Sequence, residues 1–160
     1  MRGKNFVTRK ITDGVARIKA GLLSHIELGN IDAKRDWGFT DDYVKGMHLM
    51  MQTESADNYV LATGRTETVR SFVNLAFAAA NMDIEWQGKG IDEIAINKAN
   101  GKTVVSINPE FYRPAEVELL LGDASKAKEK LGWEATTTLE EMAQMMVDAD
   151  IKRVASGASF

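Results

Sequence analysis

The chain has 160 residues, a formal net charge of −3 and no cysteine. Its hydrophobic content of 44% and charged content of 27% are ordinary for a globular domain. The acidic balance excludes a global basic field for nucleic acid, and the lack of cysteine excludes disulfides, thiolate metal sites and a cysteine nucleophile. No run approaches the ~18 apolar residues of a membrane span, so we expect no membrane partner and a cytoplasmic location.

Helical and extended patterns alternate along the chain, which predicts an α/β fold with short strands and no domain boundary within residues 1–160. Residues 5–23 form the first predicted helix. Its inner stripe is predicted to be Ile11, Val15, Ile18 and Leu22. A short strand over residues 26–28 follows and ends at Gly29.

The second helix is predicted to begin at Thr40, whose hydroxyl can cap the free N–H groups. Asp41 and Asp42 then suit the positive end of the helix dipole. The predicted inner face of this helix is Val44, Met47 and Met51. Residues 59–62 favour a short strand, and we interpret most of the eight methionines as flexible core filler.

The elements predicted next are a helix over residues 69–81, a strand at 84–86, a loop or hairpin at 88–101 and a strand at 103–107. Asp123 is expected to cap a short helix that ends at Gly132. The spacing of Thr138 and Glu141 predicts a capping box that opens the last helix. Its predicted inner residues are Leu139, Met142, Met146 and Ala149.

The block Lys34-Arg35-Asp36-Trp37 is a candidate anion site. An arginine fork beside a lysine can make paired, charge-assisted bonds to the oxygens of a diphosphate. Asp36 could hold Arg35 in place, and Trp37 could shield the site from water. Spacing alone favours the plainer alternative, a surface salt-bridge turn beside a half-buried tryptophan, because surface ion pairs contribute little.

A second candidate is the segment over residues 112–116. Arg113 precedes a rigid proline and can reach a ligand, and Glu116 has the acceptors for both hydroxyls of a ribose. The alternative, which spacing alone favours, is a loop with an exposed arginine.

A third candidate is the basic amino-terminal segment, which contains Arg2, Arg9 and Lys10. Neighbours on a helix point about 100° apart, so at most one of Arg9 and Lys10 can face a site. The backbone of residues 5–7 precedes the helix and can bind an anion or a base edge. A solvated basic end explains the same residues equally well.

Other polar residues have plainer explanations. His25 and His48 lack a metal-binding spacing and are assigned structural or surface roles. Neighbouring acids such as Glu140 and Glu141 complement a helix dipole. The sequence contains no G-x-G-x-x-G, P-loop, Tyr-x-x-x-Lys or G-x-S-x-G motif, so it holds no recognisable general base and no cofactor-phosphate loop. We therefore assign no catalytic residue and no metal site.

Several blocks in order make the chain resemble the GDP-mannose 4,6-dehydratases, which are extended short-chain dehydrogenase/reductases. The blocks are Arg2-Gly3, residues 5–12, Leu28 through Gly38, Asp42-Tyr43-Val44, Ala62-Thr63-Gly64, Thr68-Val69-Arg70, residues 112–118, Leu121-Gly122-Asp123 and Lys126-Ala127-Lys128. The resemblance covers nearly the whole chain. It implies the C-terminal, substrate-binding part of an extended SDR fold, without the N-terminal Rossmann half.

The resemblance also implies an activity for the parent enzyme. The family converts GDP-mannose to GDP-4-keto-6-deoxymannose with a tightly held NADP, on the way to GDP-fucose and related sugars. By resemblance, the backbone of Asn5 to Val7 and Lys10 contact the GDP moiety, and Arg35 and Lys34 grip the pyrophosphate. Arg113 would add a phosphate contact, Glu116 would hold the ribose, and Arg2 matches an arginine near the cofactor.

The family's catalytic Thr, Glu and Tyr-x-x-x-Lys lie upstream of Met1, which stands where the family continues backwards into Pro-Arg. We therefore expect a truncated reading frame or a deliberate fragment that is inactive alone and does not bind NADP alone. We also expect it either to self-associate through apolar faces left uncovered or to rearrange the strands that lost their sheet partners. Two alternatives stay open: the C-terminal part of another nucleotide-sugar epimerase, dehydratase or reductase, and a non-catalytic binding or assembly module.

Overall fold

The computed structural model describes residues 6–112 and 121–157. The helices are α1 (Val7–Lys19), α2 (Thr40–Met50), α3 (Val69–Ala79), α4 (Ser125–Leu131) and α5 (Leu139–Ala155). The strands are β1 (Ile26–Leu28), β2 (Lys34–Arg35), β3 (Glu67–Thr68), β4 (Ile84–Gln87), β5 (Ile94–Asn97) and β6 (Thr103–Ile107). This alternation of helices and short strands confirms the predicted α/β class.

Four strands form the main sheet in the order β1-β6-β5-β4. β1 runs parallel to β6, with Ile26 opposite Val105, whereas β5 runs antiparallel to both of its neighbours, β4 and β6. β2 and β3 form a separate two-stranded antiparallel ribbon. The parallel pair matters most for function because it brings the carboxyl ends of β1 and β6 to the same edge of the sheet.

A bulge interrupts the pairing of β5 with β6. Ala95 lies opposite Val105 while Ile96 lies opposite Thr103, so Val104 is an extra residue on β6. Both Val104 and Val105 are buried, although neighbours on a regular strand point to opposite faces. The bulge therefore lets one short strand supply two adjacent core residues.

The core lies where α1, α3 and α5 pack on one another and on the sheet. The fully buried side chains include Ile11, Val15, Phe72, Val73, Phe77, Val105 and Val147. On α3, which lies within the predicted helix over residues 69–81, the buried positions recur at helical spacing from Val69 to Phe77. The capping box at the start of α5 is also confirmed, since Thr138 and Glu141 each accept a hydrogen bond from the other's backbone N–H.

A buried ionic cluster joins α1 to α5. The Asp150 carboxylate, which is fully buried, accepts hydrogen bonds from the guanidinium groups of Arg9 and Arg153 and, at 2.7 Å, from the hydroxyl of Thr12. A buried carboxylate needs such partners because desolvation of the charge is costly. Arg9 is thus a core residue, and burial lowers its pKa.

A second, smaller cluster joins α2 to the segment after α4. The indole Nε1 of buried Trp133 donates to the Asp42 carbonyl at 2.7 Å. The buried Asp42 carboxylate accepts hydrogen bonds from the backbone N–H and hydroxyl of Thr136, both at 3.2 Å, and from the Thr137 N–H at 2.9 Å. Gly46 is needed here, because a Cβ at that position would lie 2.9 Å from the Trp133 nitrogen.

The predicted inner faces of α1 and α5 are each wrong at one residue. Leu22 is 66% exposed because α1 ends at Lys19 and the chain turns at Gly21, which has a φ of +72°. Ala149 is exposed, and Asp150 takes the inner position. Sequence periodicity missed Asp150 because an apolar-stripe pattern does not anticipate a buried carboxylate.

The predicted inner face of α2 is wrong. Val44, Met47 and Met51 are 54%, 57% and 81% exposed, so these methionines are not core filler. The buried positions of α2 are instead Asp42 and Gly46. The helix does begin at Thr40, but Phe39 holds the cap position and makes no side-chain capping bond, so the hydroxyl cap predicted for Thr40 is also wrong.

Three further expectations are corrected. Residues 59–62 carry no strand assignment. The region over residues 88–101 includes β5, so the hairpin alternative is right and the strand itself was missed. Ala124, not Asp123, holds the cap position of α4, while Asp123 accepts hydrogen bonds from the N–H and hydroxyl of Ser125. Among the helices described, none combines the length and apolarity needed to cross a bilayer.

The Asp150 cluster predicts a large cost for its removal. In Asp150→Ala, two poorly exposed guanidinium groups lose their shared carboxylate, so the free energy of unfolding should fall by about 3–5 kcal/mol. Urea unfolding measures this loss. Asp148→Ala is the matched control, because this exposed acid of the same helix bonds to exposed Gln144, and its removal should cost less than about 0.5 kcal/mol. Equal losses in both variants would contradict the buried role.

Asp42 predicts a pH dependence of stability. Desolvation opposes its ionisation, but the hydrogen bonds from Thr137 and Thr136 and the charge of Lys45 outweigh it, so its pKa lies below the ordinary value. Such a group stabilises the fold above its unfolded pKa of about 3.9, and that stability is lost as pH falls through the folded pKa. The stability of Asp42→Asn should therefore fall less steeply below about pH 4 than that of the wild type.

Urea unfolding at a series of acid pH values tests this prediction. Asp41→Asn is the matched control, because it removes an exposed carboxylate from the same helical turn and should change the slope less than Asp42→Asn does. The same acid slope in the wild type and in Asp42→Asn would show that Asp42 does not carry the effect.

Candidate functional site

The carboxyl edge of the β1–β6 pair forms the first part of the site. The Asn108 N–H donates to the Leu28 carbonyl at 2.8 Å, which extends the pairing beyond the two strands. Gly29 then passes the 3₁₀ turn at Pro109–Phe111 so closely that a Cβ would lie 2.4 Å from the Phe111 carbonyl oxygen. Only glycine permits this approach, so Gly29 fixes where residues 30–38 leave the sheet.

Lys10 reaches the same edge from α1. Its ammonium group lies 3.8 Å from the centroid of the Phe111 ring, a cation–π contact. Burial lowers the pKa of Lys10, and the nearby Glu27 carboxylate partly opposes that shift. Arg9 differs from Lys10 in being buried against Asp150. That at most one of these neighbours faces a site stays a prediction. Contact of Lys10 with a ligand stays a prediction.

Val7 is the first residue of α1. The preceding residue, Phe6, holds the cap position, where its side chain has no oxygen that could accept from the first-turn N–H groups, and the first turn contains no acidic residue. An anion or a base edge can therefore approach the first-turn backbone without displacing a side-chain cap from Phe6 or meeting a first-turn carboxylate.

Lys34 and Arg35 form β2 and pair with Thr68 and Glu67 of β3. Neighbouring residues on a strand point to opposite faces, and here Lys34 is exposed while Arg35 is half-buried. One guanidinium nitrogen of Arg35 donates to the Lys34 carbonyl at 2.7 Å. The pairing therefore favours a single cation, rather than both, for any one phosphate group.

The segment before β2 is held by the start of α3. The N–H groups of Val69 and Arg70 donate to the carbonyls of Ala33 and Ile31 at 3.1 and 2.8 Å. These N–H groups belong to the first turn of a helix, where no intrahelical acceptor exists. The loop carbonyls therefore accept hydrogen bonds from the first-turn N–H groups of α3, and these bonds determine the path of the loop.

Asp36 and Trp37 anchor the other side of the block. The Asp36 carboxylate accepts hydrogen bonds from the N–H and hydroxyl of Thr63, at 3.1 and 2.6 Å, and from the Gly64 N–H at 3.3 Å. The indole N–H of Trp37 donates to the Glu67 carbonyl at 3.1 Å. The Trp37 ring stacks on the Phe72 ring, with 5.5 Å between the ring centroids. Both side chains therefore fix the ribbon in place.

Four predicted site residues, Arg2, Asn5, Arg113 and Glu116, lie outside the described residues. Two residues that matter to the geometry were assigned no role from sequence, Phe111 and Arg70. Arg70 belongs to a block that carried the family resemblance, which is a usable signal. The role of Phe111 is indicated by the close approach of its carbonyl to Gly29, and this contact cannot be seen in the sequence.

The one G-x-G turn after a strand does not fit a dinucleotide phosphate. Gly88 and Gly90 follow β4, but the chain then enters a 3₁₀ turn containing Asp92 and continues into antiparallel β5. A phosphate loop needs the N-terminus of a helix at this place. Residues 6–112 and 121–157 also contain no group of three histidine, cysteine, aspartate or glutamate side chains that could hold a metal ion.

Comparison with known sequences identifies relatives. The sequence model described as GDP-mannose 4,6 dehydratase matches residues 1–146. GDP-mannose 4,6-dehydratases of Drosophila melanogaster, Sinorhizobium fredii and Homo sapiens are 50%, 50% and 45% identical over 151 residues. Each alignment covers 94% of this chain but only 38%, 43% and 41% of the relative, so the chain spans about two fifths of these proteins.

Solved structures share the fold. RMD from Pseudomonas aeruginosa, complexed with NADPH, has a TM-score of 0.75 at 18% identity, over 95% of this chain and 44% of that one. dTDP-glucose 4,6-dehydratase from Bacillus anthracis, in complex with NAD, has a TM-score of 0.69 at 15% identity, over 96% and 42%. UDP-glucose 4-epimerase from Thermotoga maritima, with UDP-glucose, has 0.66 at 25%, over 96% and 41%. The predicted C-terminal part of an extended SDR fold is confirmed.

Proposed function

The chain belongs to the GDP-mannose 4,6-dehydratase family, and from this premise we propose that it forms the part of such an enzyme that binds the GDP sugar. Conversion of GDP-mannose to GDP-4-keto-6-deoxymannose is proposed for a complete enzyme only. The chain spans about two fifths of its relatives and holds no residue that we assign to catalysis. Alone it is expected to be inactive.

The observation that carries the proposal is the disposition of charge along β2. Both acids of the surrounding block are engaged by other segments, Asp32 by Arg70 and Asp36 by the Thr63–Gly64 turn. The two cations, Lys34 and Arg35, lie on a ribbon that is fixed at both ends. A guanidinium held in this way can make charge-assisted bonds to a diphosphate at a low entropic cost.

The proposed contacts to the nucleoside and the ribose involve residues near the carboxyl ends of β1 and β6 or shortly after Phe111 in the sequence. We assign the nucleoside to the backbone of Asn5 and Val7 and to Lys10, which lies over Phe111 beside the end of β1. Arg113 and Glu116 follow shortly after Phe111 in the sequence, and we assign them to a second phosphate contact and to the ribose.

NADP is assigned to the complete enzyme and not to this chain alone. The G-x-G turn after β4 does not suit a cofactor phosphate, and the one residue matched to the cofactor is Arg2. No step of the reaction is therefore derived from these residues. A cytoplasmic location is part of the proposal and is compatible with a chain that contains no cysteine.

Two other functions make different predictions. A part of another nucleotide-sugar epimerase, dehydratase or reductase would prefer UDP or dTDP over GDP. A non-catalytic assembly module would fold and capture a partner without nucleotide affinity. The identity of 45–50% to GDP-mannose dehydratases favours GDP over both alternatives. Calorimetric titration of the 160-residue chain with GDP, UDP and dTDP separates the three.

Arg35→Ala should weaken GDP binding by about 1.5–3 kcal/mol, the range for loss of a hydrogen bond to a charged group. Calorimetric titration measures the loss. Lys102→Ala is the control, because this exposed cation precedes the amino end of β6, at the opposite edge of the sheet, and its removal should leave the affinity unchanged. Unchanged affinity in Arg35→Ala would remove Arg35 from the site, and the same loss in both variants would indicate a nonspecific charge effect.

Homo-oligomerisation is a further part of the proposal. Val44 and Met47 of α2 and Met51, which caps its C-terminal end, form an exposed apolar stripe at helical spacing. Exposed apolar patches of this kind favour association. We infer that the isolated chain self-associates through this stripe.

The double variant Met47→Lys/Met51→Lys should therefore shift the chain toward the monomer in sedimentation velocity, because two charges would have to be desolvated at the contact. Met145→Lys is the matched control, since Met145 is an exposed methionine on a different helix, α5. A compact wild-type monomer at the same concentration would exclude self-association.

A further inference from the structure

Arg70 lies in the first turn of α3, and its guanidinium group joins three segments. Nε and Nη2 donate to Asp32 Oδ1 at 3.1 and 2.9 Å. Nη1 and Nη2 donate to the two carboxylate oxygens of Glu93, the second at 3.1 Å. The group also lies 4.7 Å from the centroid of a Trp86 ring. These bonds, with that to Glu93 foremost, raise the pKa of Arg70.

The two carboxylates have different surroundings. The Glu93 side chain is 13% exposed and immediately precedes β5 of the main sheet. The Asp32 side chain is 69% exposed and belongs to the loop before β2. Exposed ion pairs contribute little to global stability. The bond to Glu93 therefore anchors Arg70, whereas the bond to Asp32 acts mainly on the loop.

The backbone reinforces the same contact. The Asp32 N–H donates to the side-chain oxygen of Asn30 at 3.0 Å, and the carbonyls of Ile31 and Ala33 accept from the first turn of α3. Three consecutive residues are thereby held immediately before Lys34. The direction in which β2 leaves the loop is set at this point.

We propose that the Arg70–Asp32 pair is a positioning contact of the GDP-sugar site. It orients the loop so that Arg35 is presented to the diphosphate, and it holds the Asp32 carboxylate away from both the cations and the ligand. Neither Arg70 nor Asp32 contacts the ligand. The inference rests on the proposed function, because it assumes that Arg35 binds the diphosphate.

Asp32→Ala is the cleanest test, because the anchor between Arg70 and Glu93 remains. We expect GDP affinity to fall about 5- to 10-fold, since a mobile loop presents Arg35 less often in the binding geometry. Removal of a negative charge near an anion site would by itself tighten binding. The sign of the change therefore separates positioning from net charge, and unchanged or tighter binding of GDP would overturn the proposal.

A double-mutant cycle with Arg35→Ala tests whether Asp32 acts through Arg35. In the Arg35→Ala background, Asp32→Ala should change GDP affinity less than about twofold, because there is no arginine left to position. In the Lys10→Ala background it should keep its full effect, since Lys10 lies on α1 at the sheet edge. A full effect of Asp32→Ala in the Arg35→Ala background would overturn the proposal.

Amide hydrogen exchange tests the contact without a ligand. Residues 30–36 should exchange about tenfold faster in Asp32→Ala, while β5 keeps its wild-type protection. Wild-type protection of residues 30–36 in the variant would overturn the positioning role. Absence of GDP binding by the wild-type chain would instead refute the proposed function, and the exchange measurement would still decide whether Asp32 holds the loop.

Discussion

The parallel pairing of β1 with β6 is the constraint on which the candidate site depends. It aligns two strands that are far apart in the sequence, so that both end at one edge of the sheet. Gly29 can then pass the Phe111 carbonyl, and Lys10 lies over the Phe111 ring. This pairing is what brings together α1, the loop after β1 and the turn after β6. The site therefore rests on a three-residue strand whose register is held by the buried Ile26 and Leu28.

Tertiary contacts separate charges that cancel in the sequence. The stretch from Asp32 to Asp36 contains two acids and two cations, so its formal charge is zero. In the fold, Asp32 bonds to Arg70, and Asp36 bonds to the Thr63–Gly64 turn. The acids thus serve as anchors, and the cations are held on a ribbon between them. A block that resembles a surface salt-bridge turn is fixed in place because other segments bind its carboxylates.

The same distinction explains the error on α2. Apolar spacing identified a real stripe, but periodicity shows only that one face of a helix is apolar and not what covers it. The covered side of α2 is instead polar and small, with Asp42 satisfied by Thr136 and Thr137 and with Gly46 beside Trp133. Residues 59–62 show the same limit of local patterns. Their side chains favour a strand, but these residues form none in the structure. Strand propensity is expressed only where a neighbouring strand supplies partners.

The amino-acid sequence is enough to predict the α/β class, the helices and strands that have strong local signals, and the family. Caps and periodic patterns are local, so the Thr138–Glu141 box and the helix that forms α3 could be predicted. Three features became visible only in the folded chain: the buried role of Asp150, the extra β6 residue at Val104 and the anchoring of Asp32 by Arg70. Each of these depends on a partner many residues away. The residues next to a side chain in the sequence do not show which distant group will supply its hydrogen bond or contact.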